Sequence, residues 1–159
     1  MSKSPENSQY RMSENYSKRI KHLIYENECQ SNSEFAKLLG VSEPIISKAV
    51  TFGIYPSLRT LIKIADKLEL SLKYLMGIDD NNEFIMSTNP TTFHTRLAEL
   101  TTEYKTKFAR VASKTSFQRT YIYQWNKIGT LPSIDYLFEL ADFFKVSPDY
   151  LLGRTDYRI

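Results

Sequence analysis

The chain has 159 residues, 42% hydrophobic and 25% charged, the balance of a folded soluble chain rather than a disordered or collagen-like one. Its formal net charge of +3 is too small by itself to argue for nucleic acid, membrane or an acidic partner. No apolar run approaches the ~18 residues of a membrane span, and the lone Cys29 cannot close an intrachain disulfide, so membrane and disulfide-scaffold classes are excluded and a cytoplasmic location is expected.

Met1 to Asn15 is polar and lacks the apolar core of a signal peptide, and residues 1–12 are expected to be a flexible tail. From there apolar residues recur with helical spacing, and no sustained alternation announces a strand. A first helix begins near Ser13, with Tyr16, Ile20, Leu23 and Ile24 on one face. Ser31 and Glu34 have capping-box spacing. Phe35, Ala36, Leu38 and Leu39 follow as the inward face of a short second helix, and Gly40 supplies the left-handed turn that ends it. Ser42 caps a third helix, which tolerates Pro44 in its first turn and turns Ile46 and Ala49 inward. Phe52 to Pro56 reads as a loop. Ser57 caps a fourth helix with Leu58, Leu61, Ile62, Ala65 and Leu68 inside, and Ser71 caps a fifth that carries Leu72 and Leu75 and stops at Gly77.

The pattern then starts again. Between Ala36 and Gly77, twelve residues recur type for type 76 positions later, among them Gly53 as Gly129, Pro56-Ser57 as Pro132-Ser133, Tyr74-Leu75 as Tyr150-Leu151 and Gly77 as Gly153. A repeat of apolar and turn residues at fixed spacing means one supersecondary unit built twice. The expected division is 13–79 for the first domain, 80–90 for a linker and 91–159 for the second domain. Asp79-Asp80-Asn81-Asn82 is linker chemistry, and Phe84, Ile85 and Met86 are an apolar trio suited to docking on a neighbouring domain. In the second domain Thr91 or Thr92 caps a helix with Phe93, Leu97 and Leu100. Phe108, Val111 and Ala112 belong to helix two, Ile122 and Trp125 anchor helix three, and Ser133 and Ser147 cap helices four and five.

Two short helices joined by a tight turn, the second free to enter a groove, form a helix-turn-helix. Phe35 to Ser42 followed by Ile46 has that logic: Ala36 is small at the crossing, Gly40 makes the turn, and Val41 and Ile46 hold the third helix. With the Pro-Ser start of helix four and the Tyr-Leu-(Met/Leu)-Gly ending, the chain resembles the Cro and phage-repressor (XRE-like) helix-turn-helix regulators. The likeness covers Tyr16 to Asp79 and again Phe93 to Asp156. It implies an all-α chain of two tandem five-helix lambda-repressor-like domains. It also implies sequence-specific binding to double-stranded DNA with helix three in the major groove. The resemblance further places a phosphate-reaching amide at the start of helix two. Asn32 fills that place, whereas Phe108 cannot. Ser116 stands where Gly40 makes the turn, so the second turn is expected to be strained or to bend differently.

The residues expected to face DNA in the first domain are Asn32, Ser42, Glu43, Pro44, Ser47 and Lys48. In the second they are Gln118, Arg119, Thr120, Tyr121, Tyr123, Gln124 and Lys127. Arginine pairs with guanine, glutamine with adenine, and threonine meets a thymine methyl; the tyrosine hydroxyls can bond phosphate. From Lys105 to Lys127 the second domain is basic without one acidic residue, while in the first domain Lys37 and Lys48 are opposed by Glu34 and Glu43.

The function read from this pattern is a transcriptional regulator, a repressor, acting on duplex DNA as a homodimer or as an intrachain pseudo-dimer. Half-sites in this class lie ~34 Å apart, and a linker of roughly a dozen residues spans about 40 Å when extended. The alternative is that one domain, or both, is a protein-interaction module, for which Phe108, Tyr121, Tyr123 and Trp125 offer surface. No enzyme is expected. There is no glycine-rich phosphate loop, and His22 and His94 share no ligand spacing with Cys29, so neither cofactor nor metal is implied.

Overall fold

The computed structural model describes residues 9–128 and 130–159, except the side chains of 126–128. The chain is all-α, with ten helices and no strand among the described residues. It divides into two compact units, Gln9–Phe84 and Ile85–Ile159.

In the first unit the helices are α1 (Glu14–Glu26), α2 (Asn32–Leu39), α3 (Glu43–Phe52), α4 (Leu58–Leu68) and α5 (Leu72–Leu75). Serine hydroxyls set the starts: Ser13, Ser31, Ser57 and Ser71 each accept the amide three residues on. Ser42 occupies the same place before α3 without making that bond. Tyr16, Ile20, Leu23, Phe35, Leu39, Ile46, Leu61, Ile64, Leu72 and Leu75 form the core. Leu38 does not join it and is exposed. On α2 the inward centre falls between Phe35, Ala36 and Leu39, and Leu38 lies about 110° away from it at ~100° per residue.

Residues 1–8 of the expected tail lie outside the described residues. Nearer the first helix the chain is tied down: Ser13 donates to Gly53 O at 2.8 Å, Tyr55 donates to Arg11 O at 3.1 Å, and Met12 bridges Ile54. Gly53 has φ +66 and sits so close that a methyl group there would fall 2.0 Å from Ser13 O. At the other end Asn82 clamps the start of α5. Its amide oxygen accepts from Ser71 N–H at 3.0 Å and its amide nitrogen donates to Glu69 O at 3.1 Å.

The second unit holds α6 (Phe93–Glu103), α7 (Phe108–Ser113), α8 (Arg119–Ile128), α9 (Ile134–Phe144) and α10 (Pro148–Leu151). From α7 onward it follows the first unit at a spacing of 76, but helix one follows at 77. Tyr16, Ile20 and Leu23 are matched by the buried Phe93, Leu97 and Leu100. Arg19 stacks over Tyr74 at 3.8 Å and Arg96 over Tyr150 at 4.1 Å. The missing residue lies between helices one and two, just after the left-handed Glu28 (φ 56) and Lys105 (φ 50). The register then holds to the end of the chain: Arg158, 76 beyond Asn82, takes the Ser147 amide through its carbonyl. Its guanidinium grips Glu103 at 2.9 and 2.7 Å.

The two turns between helices two and three differ. Gly40 caps α2 in the left-handed region (φ 70). In the second unit α7 stops earlier, Thr115 Oγ1 donates to Val111 O at 3.0 Å, and Ser116 stays out of the left-handed region. Of the two expectations, the turn bends differently rather than storing strain at Ser116.

Candidate nucleic-acid interface

The third helix of each unit is held from behind. Ile46 and Ala49 of α3 are fully buried, and Ile122 and Trp125 of α8 are 0% and 3% exposed. Helical periodicity then turns the residues between them outward. On the first unit Ser42, Glu43, Pro44 and Lys48 are exposed, Ser47 is half-buried with its hydroxyl donating to Pro44 O at 3.3 Å, and Asn32 is half-buried as the first residue of α2. On the second unit Gln118, Arg119, Thr120 and Gln124 are exposed. Lys127 lies on α8, but its side chain is outside the described residues.

The two tyrosines of α8 are placed by packing. Tyr121 is half-buried, stacked on Trp125 at 6.1 Å and tilted against Tyr136 at 5.6 Å, so its ring belongs to an aromatic cluster that includes Phe117. Burial, then the neighbouring Tyr121, Glu139 and Asp135, raises the pKa of Tyr136 and keeps its phenol neutral. Tyr123 stands on the rim, 42% exposed, with Phe108 edge-on at 5.4 Å. Phe108, which replaces the amide of Asn32, thus serves as a prop for Tyr123.

Helix four reaches back to fix the turn in front of helix three. Lys63 Nζ donates to Gly40 O at 2.6 Å. Glu139, 76 residues on, accepts from Ser116 N–H at 3.1 Å and from Ser116 Oγ at 2.7 Å. Sequence reasoning missed this brace; the signal lay in the opposite charges at positions 63 and 139, each matched to the polarity of the turn group it meets. Glu34 is fixed as well: its carboxylate accepts from Gln30 N–H at 2.9 Å while its own amide donates to Ser31 Oγ at 3.1 Å.

Comparison with protein-family models, curated proteins and solved structures finds no match. Among the described residues no helix is long and apolar enough to cross a membrane, and no group of His, Cys, Asp and Glu could hold a metal ion. His22 pairs with Glu26 at 2.9 Å along α1. The exposed rim of α8 therefore carries the amides of Gln118 and Gln124, the hydroxyl of Thr120 and the guanidinium of Arg119.

Proposed function

We propose that the chain is a sequence-specific, double-stranded DNA-binding transcriptional regulator, a repressor of the Cro and phage-repressor type. It would be built from two tandem five-helix lambda-repressor-like domains and act in the cytoplasm. One observation carries this reading: a short helix, pinned from behind by Ile122 and Trp125, presents Gln118, Arg119, Thr120 and Gln124 to solvent beside a basic edge. That is the side-chain chemistry and the geometry that major-groove reading requires. The test is selection from a randomised duplex pool with the full chain at low salt. Enrichment of a defined sequence is expected, with affinity falling as log[salt] rises, at a slope of about −0.9 per phosphate neutralised. A pool that enriches nothing overturns the reading.

A second reading, a protein interface on the first unit, has its own observation. Phe52 at the end of α3 is 62% exposed, and Met12, bridged to Ile54, is 59% exposed. Large apolar side chains on a rim serve a protein partner better than a phosphate backbone. Light scattering without DNA tests its self-association form: a concentration-dependent dimer that Phe52→Ser abolishes favours the interface, and a monomer unaffected by that change excludes a dimer through this surface.

A further inference from the structure

The two units carry opposite charges at equivalent positions around helix three. Moving 76 residues along, Glu34 becomes Arg110 and Glu43 becomes Arg119, whereas Arg59 becomes Asp135 and Lys63 becomes Glu139. The exchange is ordered. The first two positions open helices two and three, and the last two lie on helix four.

A phosphate backbone passing over a helix-turn-helix meets the starts of helices two and three. In the first unit both starts carry a carboxylate. Glu34 cannot swing aside without giving up its bond from Gln30, and Glu43 is exposed as the first residue of α3. In the second unit both starts carry a guanidinium, and Lys105, Lys107 and Lys114 extend the same edge. All five cations are exposed, and among the described residues no carboxylate lies within ion-pair distance of any of them. On that unit's helix four, Glu139 is turned to Ser116.

We infer that the two units divide the work: α8 of the second unit reads the DNA, and α3 of the first unit does not. This rests on the DNA reading above and assigns it to one unit. Unpaired cations release counterions when they meet phosphate, whereas a fixed carboxylate at the same place repels it. Arg119 is the anchor, with Gln118, Thr120 and Gln124 beside it and Tyr123 held upright by Phe108.

The experiment is a reciprocal charge exchange in the full chain, measured against the duplex enriched from the random pool. Arg119→Glu should weaken binding by at least about thirtyfold, the loss of one good base pairing plus a repelled phosphate, and Glu43→Arg should tighten it about threefold. Arg119→Gln, which keeps a polar surface residue, should lose about tenfold and carries the test if the glutamate variant melts early. If Glu43→Arg weakens binding about tenfold, or both Arg119 variants stay within about threefold of the parent, the division is wrong although DNA binding stands. A pool without an enriched sequence strikes at the DNA reading itself.

Discussion

Glu139 Oε2 takes both the amide and the hydroxyl of Ser116, at 3.1 and 2.7 Å, across 23 residues of chain. The equivalent Lys63 instead gives a hydrogen bond to the carbonyl of Gly40, at 2.6 Å. One turn exposes an acceptor because its glycine is left-handed, the other exposes donors because its serine is not, and helix four carries the matching charge in each case.

Glu139→Ala should therefore destabilise the second unit by about 1 kcal/mol, the net worth of a charge-assisted bond on a partly exposed surface. Glu139→Lys should cost more, since an ammonium would face an amide donor. Urea unfolding followed by tryptophan fluorescence reports on the second unit, because Trp125 is the chain's one tryptophan. An unchanged midpoint for both variants would mean that the brace contributes nothing.

Much of this architecture was legible beforehand because its punctuation is local. Ser13, Ser31, Ser57, Ser71, Thr92, Ser133 and Ser147 all cap the helices they precede. Gly40, Gly53, Gly77 and Gly153 all adopt positive φ. What escaped was set by tertiary contact. The change of register from 76 to 77 before helix two hid the equivalence of Arg19 and Arg96, since each is defined only by the tyrosine it covers. The position of Tyr121 on helix three did not show that Trp125 and Tyr136 pack against its ring. Ser116 departed from the turn glycine in plain view, but its partner lies on another helix.

Tyr16 is fully buried, and among the described residues its hydroxyl has no hydrogen-bond partner. The second unit places Phe93 at the same site, so the chain already makes this substitution in its other half. Tyr16→Phe should be neutral or stabilising by up to about 1 kcal/mol, because it removes an unanswered polar atom without leaving a cavity. Burial, and then Tyr55, push the Tyr16 pKa well above its ordinary 10.0. Stability is therefore retained below 10.0 and falls above it, where the unfolded chain ionises and the folded one resists. Alkaline unfolding should come at higher pH for Tyr16→Phe than for the parent; the reverse order would show that the hydroxyl is satisfied.

Asp149 and Arg154 form an ion pair with both side chains nearly sealed from solvent, 7% and 6% exposed. The first unit has Lys73 and Ile78 at these places. Two charges taken out of water together are tolerated, whereas breaking a buried pair by removing one partner is strongly destabilising, so Arg154→Ile should cost about 3–5 kcal/mol. The double change Asp149→Lys with Arg154→Ile transplants the first unit's residues, and it should recover a large part of that loss. Thermal unfolding of the three proteins decides it: a double variant as unstable as the single one would mean that α10 depends on the pair itself.

The clamp between Arg158 and Glu103 ties the end of the chain to α6 and should announce itself through pH. The hydrogen bonds from Arg158, and secondarily its charge, hold the Glu103 carboxyl below its ordinary 4.5. For a carboxylate depressed in the folded state, the stabilisation is complete above 4.5 and disappears as pH falls through the lower folded value. Arg158→Ala should thus lie furthest below the parent at neutral pH, and the two unfolding curves should converge as the pH falls below 4.5. Because the pair is exposed, added salt should narrow the same gap at neutral pH. A gap that keeps its size through acid and salt would assign the effect of Arg158 to its backbone and its stack on Tyr150, 5.3 Å away, rather than to the carboxylate.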